Sequence, residues 1–146
     1  MTTYTRPDFR LPPEPTAESR AFWSGGAQGH LLITRCHSCG HFFHPPGPVC
    51  FRCRSTDVAA EPASGRAFVA AYTVNRQQWL PGLPPPYVVA IVELAEDRDV
   101  RLTTNVVDLD ESQLAVGLEV EVFFEQWGED DAAVWLPLFR PVGVTA

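Results

Sequence analysis

The chain has 146 residues, 45% of them apolar, with a formal net charge of −7 and a pI near 4.9. That length holds one domain or two small modules, and no apolar run approaches the ~20 residues of a membrane-spanning helix. The charge is uneven: residues 1–66 hold seven arginines against five acids, residues 67–146 four against thirteen, and lysine is absent, so the second half repels the phosphates that a nucleic-acid-binding face must neutralise.

Residues 1–15 place Pro7, Pro12, Pro13 and Pro15 in a polar setting. This predicts an extended arm of the kind that orders on a partner, not a core element. The stretch from Met1 to Leu11 lacks the apolar segment of a secretory leader, so the expected compartment is the reducing cytoplasm. Thr16 to Ala27 predicts a helix, with Thr16 as N-cap, Glu18 in the first turn and Gly25-Gly26 as terminator. Its Ala21, Phe22 and Trp23 form a bulky apolar patch. A helix this short is marginal alone and must dock on something. Leu31 to Thr34 predicts a strand leading into the first cysteine pair.

Cys36, Cys39, Cys50 and Cys53 form two C-x-x-C pairs with ten residues between. Ten residues allow a strand out, a turn at Pro45-Pro46-Gly47-Pro48 and a return, bringing four thiolates to one point as tetrahedral zinc requires. Two other readings compete: a pair of disulfides, and a thioredoxin-like redox pair. A reducing compartment disfavours the first. The second needs a helix after one pair, and neither Gly40-His41-Phe42-Phe43 nor Arg54-Ser55-Thr56 reads as helix. Iron with the same four sulfurs fits the spacing as well. Four thiolates close the coordination sphere, so the expected metal is structural zinc that builds the fold. His37, His41 and His44 are then expected in solvated or supporting roles. Arg35, Arg52, Arg54 and Arg66 either offset the negative charge of the tetrathiolate or form a local basic patch beside it.

Asp57 to Ser64 reads as a polar connector. The second module then runs as strands: Arg66 to Asn75; a loop from Gln78 to Pro86 with four prolines; Tyr87 to Leu94, rich in β-branched residues; and Val100 to Val107, with Leu102, Thr104 and Val106 on one face. Asp108 to Ala115 predicts one or two helical turns, Leu118 to Trp127 a strand, Gly128 to Asp131 an acidic turn, and Ala132 to Arg140 the last strand. Five strands with a short helix between the third and fourth is the order of an OB barrel. The expected fold is therefore mainly β: an arm and helix over 1–30, a rubredoxin-like zinc ribbon over 31–65, and a five-stranded OB-fold barrel over 66–146.

No nucleophile elbow, phosphate loop or open metal triad is visible, and the acids at Asp97, Asp99, Asp108 and Asp110 sit at turns or a helix start, where capping and solvation explain them. No catalytic residue is therefore assigned. A ribbon beside a barrel suggests single-stranded nucleic acid, which the acidic second half opposes, or protein docking.

Several stretches, AFWSGGAQGHLLITRCHSCG, FFHPPGPVC, GRAFVAAYTV, PPYVVAIVEL, RLTTNVV, GLEVEVFFE and LPLFRP, cover roughly residues 20–141. In this order the chain resembles the domain-of-unknown-function 35 family, acyl-CoA-associated proteins with a helix, a zinc ribbon and an OB barrel. Arg54 departs from the family pattern, which has Gly after the second cysteine pair. The resemblance implies an accessory subunit that scaffolds a thiolase-fold enzyme, a ketothiolase or a steroid side-chain aldolase, acting on acyl-CoA at or near the shared interface. Some relatives pair with MaoC-like hydratases instead. The expected partner contacts are the arm, Phe22 and Trp23 of the helix, and the Trp79 to Pro86 loop; packing on the ribbon is the alternative for Phe22 and Trp23. Arg35, Arg52 and Arg54 are the residues that would meet CoA phosphates if this chain bound acyl-CoA directly.

Overall fold

The computed structural model describes residues 3–144. A three-stranded sheet and a closed five-stranded barrel share the chain with one short helix. The helix α1 spans Arg20–Ser24 and runs directly into a 3-10 turn at Gly25–Gln28. The expected single helix over Thr16 to Ala27 is thus divided. Thr16 and Ser19 exchange side-chain-to-backbone hydrogen bonds before α1 begins. Gly25 and Gly26 do not end the run; Gly29, at φ +76°, does. The two buried glycines are instead where the backbone meets its neighbours. A Cβ on Gly25 would lie 2.5 Å from the His30 carbonyl oxygen, and one on Gly26 would lie 2.5 Å from Trp135 Cβ and 2.6 Å from Phe124.

The ribbon sheet has the order β2-β1-β3, with β1 at Leu31–Cys36, β2 at Phe42–Phe43 and β3 at Val58–Ala63. The strand β3 replaces the expected connector. It pairs with β1 from Leu31↔Ala63 to Cys36↔Val58. The two-residue β2 matches only Thr34 and Arg35 of β1, and the other edge of β1 carries donors and acceptors that need partners. The segment after the second cysteine pair supplies them.

The barrel has the order β4-β5-β6-β8-β7, from β4 at Arg66–Asn75, β5 at Tyr87–Leu94, β6 at Arg101–Val106, β7 at Glu119–Trp127 and β8 at Val134–Pro141. It is an OB-fold. A bulge between Val69 and Ala71 bends β4, as closure of a small barrel requires. The expected helical turns between the third and fourth barrel strands reduce to a 3-10 turn at Glu111–Gln113, begun by a capping box at Asp110. The acidic turn also contains 3-10 structure, at Asp130–Ala132. Val69, Val92, Leu94, Val106, Val120 and Phe139 fill the barrel, and the same buried cluster takes in Phe22 of α1 and Leu31 and Ile33 of β1. Helix, ribbon and barrel therefore share one core. A smaller cluster of Cys36, Phe43 and Cys50 lies under the cysteine site.

The arm departs from expectation. It is extended, but it lies on the chain's own barrel. The amides of Asp8 and Phe9 both donate to the Gly82 carbonyl, and Tyr4 packs edge-on against Phe123 of β7 at 5.6 Å.

Candidate metal centre

The two C-x-x-C pairs form matched knuckles. The Gly40 amide donates to the Cys36 carbonyl at 2.8 Å and the Arg54 amide to the Cys50 carbonyl at 2.9 Å. The Cys36 amide reaches His41 O and the Cys50 amide Ser55 O, both at 2.9 Å. Each knuckle needs a left-handed residue just past its second cysteine: Gly40 at φ +77° and Arg54 at φ +62°. The first uses glycine, which tolerates this conformation without Cβ strain; the second forces arginine into it. The departure from the family pattern at Arg54 therefore leaves the knuckle geometry intact. A Ser38–Ser55 hydroxyl bond of 2.7 Å joins the knuckles.

All four Sγ atoms lie within 4.8 Å of one another. Cys36 and Cys53 are 3.5 Å apart and Cys39 and Cys50 3.8 Å. Tetrahedral Zn–S bonds of ~2.3 Å put sulfurs about 3.8 Å apart, so the donor set fits zinc. The thiols also cannot ionise independently. The Cys39 amide lowers Cys36 to about 6, and the Cys53 amide lowers Cys50. At Cys53 the Ser55 amide favours the thiolate, but the bond to Cys36, burial and the Cys39 and Cys50 thiols outweigh it and push the group up to about 12. A divalent soft cation relieves this crowding by binding all four as thiolates. Four sulfurs leave no position for water or substrate, so the metal is structural.

The histidines surround the site without entering it. His37 reaches Asp57 and Glu61 at 3.3 and 3.0 Å. His41 is buried, and its Nδ1 lies 3.2 Å from Asp97 in the β5–β6 turn. With Arg52–Asp99 at 3.3 Å, it ties the ribbon to the barrel. His44 stacks on Phe22 with ring centroids 4.7 Å apart, and burial pushes its pKa down.

The other residues singled out from the sequence scatter. Phe22, open from the sequence to either partner contact or internal packing, is 5% exposed; it is spent on the internal core, because the helix needs an apolar anchor to dock. Trp23 is half-buried beside it, ring against ring at 4.7 Å. Arg35 lies over Phe42 and pairs with Glu61. Arg52 pairs with Asp99, and Arg54 is exposed on the second knuckle. Trp79 is 70% exposed, and its indole N–H donates to Asn75 at 2.8 Å, which holds the ring in one orientation.

A second polar cluster had no place among the sequence expectations. Glu125 of β7 is 5% exposed, yet it receives the Tyr4 phenol, Arg10 Nε at 2.6 Å and Trp127 Nε1 at 2.6 Å. Arg10 also donates to Asn105 at 2.9 Å, and Asn105 to the Val88 carbonyl. Asp108, expected as a cap, is instead buried at φ +57° and accepts the Tyr4 amide. Burial, then the bond to Glu125, raises Tyr4 to about 12. The signal was there in β7: Phe123 and Trp127 flank Glu125 at i±2 on the face that period-2 alternation assigns to solvent. Apolar residues on both faces imply a cover, here the arm.

Comparison with known proteins matches two family models. The ChsH2 rubredoxin-like zinc ribbon domain aligns with residues 23–59 and the ChsH2 C-terminal OB-fold domain with residues 60–125. A "Probable enoyl-CoA hydratase alpha subunit" of Thermomonospora curvata is 37% identical over 140 residues, covering 95% of this chain and 42% of that protein. A "3-oxo-4,17-pregnadiene-20-carboxyl-CoA hydratase alpha subunit" of Mycobacterium tuberculosis is 28% identical over 131 residues, covering 90% and 41%. The chain thus spans about two-fifths of the length of these two relatives. Among solved structures, a chain of an "Ltp2-ChsH2(DUF35) aldolase" superposes with TM-score 0.76 at 33% identity, over 89% of this chain and 98% of that one. With ribbon, barrel and helix in the same order along the sequence, the chain belongs to the ChsH2 (DUF35) family of zinc-ribbon and OB-fold proteins.

Proposed function

We propose that this chain is a non-catalytic accessory subunit of a thiolase-fold enzyme of aldolase type that acts on acyl-CoA thioesters. The observation that carries this is the correspondence with 98% of a chain from an Ltp2-ChsH2 aldolase at 33% identity. The closed four-sulfur site supports it, since such a metal holds structure and does not turn over substrate. The hydratase subunit names among the relatives support an acyl-CoA context, and the pregnadiene-carboxyl-CoA name supports a steroid side chain as the acyl group.

Trp79 is the favoured anchor. It is exposed, held by Asn75, and followed by the proline-rich loop, and pre-oriented tryptophans are common interface hot spots. The pairing of Arg35 and Arg52 with acids speaks for scaffolding over direct capture of CoA phosphates.

The test is co-expression with an aldolase of the thiolase fold. The expected result is one co-eluting complex that cleaves a β-hydroxyacyl-CoA, with Trp79→Ala weakening association at least about tenfold, or ~1.4 kcal/mol, while leaving the free chain's melting temperature unchanged. An aldolase that folds and turns over fully alone, with no co-elution, overturns the reading. A second reading, service to a hydratase, is favoured by the 37% identity over 95% of this chain. Parallel co-expression with a MaoC-like chain separates the two.

A further inference from the structure

Residues 3–10 form one wall of a partly open cavity of about 840 Å³, completed by the proline loop and the end of β6. Val74, Val88, Val106 and Leu109 give it apolar walls. Its charged lining is Arg6 and Arg10 against Asp8, Asp108, Asp110 and Glu111, a balance that disfavours anions. The volume is within the usual ~300–1,000 Å³ of small-molecule sites.

What holds the arm there is polar and concentrated. Thr3, Thr5 and Asp8 are exposed, Phe9 is 39% exposed and Leu11 71%, so the ring contacts of the arm's described residues reduce to Tyr4 against Phe123 and the Arg6 guanidinium 4.0 Å over Trp127. Tyr4 and Arg10 converge instead on the single carboxylate of Glu125. The hydrogen bonds from Asp8 and Phe9 to Gly82 join the arm to the proline loop, the cavity's other wall. Beyond Arg10 residues 11–16 carry no helix or strand, so the arm can lift without unwinding α1.

We propose that residues 3–10 are a releasable wall, latched on Glu125, whose lifting widens this cavity's mouth to admit a neutral apolar small molecule. Loss of the latch leaves Arg10 without its ion partner and Tyr4 without its acceptor, and the remaining contacts are individually weak.

Trypsin reads the arm directly. Arg6 is followed by Pro7, a poor site, so the diagnostic cut falls between Arg10 and Leu11 and is protected while Arg10 is held by Glu125. The full chain, its Glu125→Gln variant and its Tyr4→Phe variant are compared by the rate of release of the peptide ending at Arg10, and by the emission of the neutral dye Nile red. Zinc content and far-UV circular dichroism report whether each variant is folded. The expected result is cleavage at least about tenfold faster in Glu125→Gln, a smaller but clear acceleration in Tyr4→Phe, which keeps the Arg10–Glu125 pair, and raised dye emission with unchanged fold in both. Variants that are folded but cut no faster than the parent overturn the proposal, as does faster cutting with no gain in dye emission. If Glu125→Gln fails to fold, the Tyr4→Phe comparison decides alone.

Discussion

The contact between the helical segment and the barrel can be tested at one atom. Gly26 has an ordinary helical backbone, not a left-handed one. On backbone grounds alone, Gly26→Ala should stabilise the protein by roughly 0.4–1 kcal/mol, because alanine loses less freedom on folding. The packing predicts the opposite sign. The new Cβ would stand 2.5 Å from Trp135 Cβ, 2.6 Å from Phe124 Cδ1 and 2.7 Å from Phe124 Cγ. These atoms lie at the root of a side chain or in a ring, so no flexible tip can swing aside. Overpacking costs about 1–3 kcal/mol, and three simultaneous clashes argue for the upper end. The net expectation is a loss of about 2 kcal/mol, or a melting temperature lower by roughly 4–8 °C for a chain of this size. Differential scanning fluorimetry measures it. Gly47→Ala is the control, because nothing lies within 4 Å of a Cβ there. If Gly26→Ala is neutral or stabilising, the helical segment is not seated on β7 and β8, and the single shared core is wrong.

The remaining predictions concern the metal, its second knuckle and one surface carboxylate. Removing zinc with a strong chelator, or replacing a ligand as in Cys50→Ser, should melt the β2-β1-β3 sheet, since structural zinc contributes on the order of 10 kcal/mol in small modules; metal analysis should find one zinc per chain, and a metal-free chain with unchanged melting refutes this. Arg54→Gly should raise stability by up to about 1 kcal/mol, because the left-handed conformation at φ +62° costs arginine more than it costs glycine; a fall in melting temperature would mean that the arginine side chain contributes more than its backbone loses. The carboxyl of Glu93 is held below its ordinary 4.5, chiefly by a hydrogen bond from Arg98, against burial and with help from Arg101. Its folded pKa lies below the unfolded one, so its contribution is complete above about 4.5 and lost as pH falls through the depressed value. The stability gap between the parent and Glu93→Gln should therefore shrink on acidification in denaturant titrations, and a gap that stays constant down to about pH 3 refutes the pairing.

Much of this protein was legible before any coordinate. Cys36, Cys39, Cys50 and Cys53 announced a tetrahedral site, because ligand chemistry depends on local spacing that two tight knuckles can satisfy alone. The barrel strands were legible because alternation in Leu102, Thr104 and Val106 records which face is buried, and buried they are. What failed was whatever depends on a distant neighbour. Val58–Ala63 reads as connector and becomes a strand only because the open edge of β1 needs partners. Gly25 and Gly26 read as terminators, yet they are small because His30 and Leu32 leave no room for a Cβ at Gly25, and Phe124 of β7 and Trp135 of β8 leave none at Gly26. Phe22 read equally as a partner contact or as packing on the ribbon, and only the tertiary structure places it in the chain's own core. The arm and Glu125 are more than a hundred residues apart, so nothing local in either signals the other; only the closed barrel brings Tyr4 and Arg10 onto that carboxylate. Spacing and periodicity write local geometry into a sequence, whereas the pairing of remote surfaces is decided when the whole chain excludes water at once.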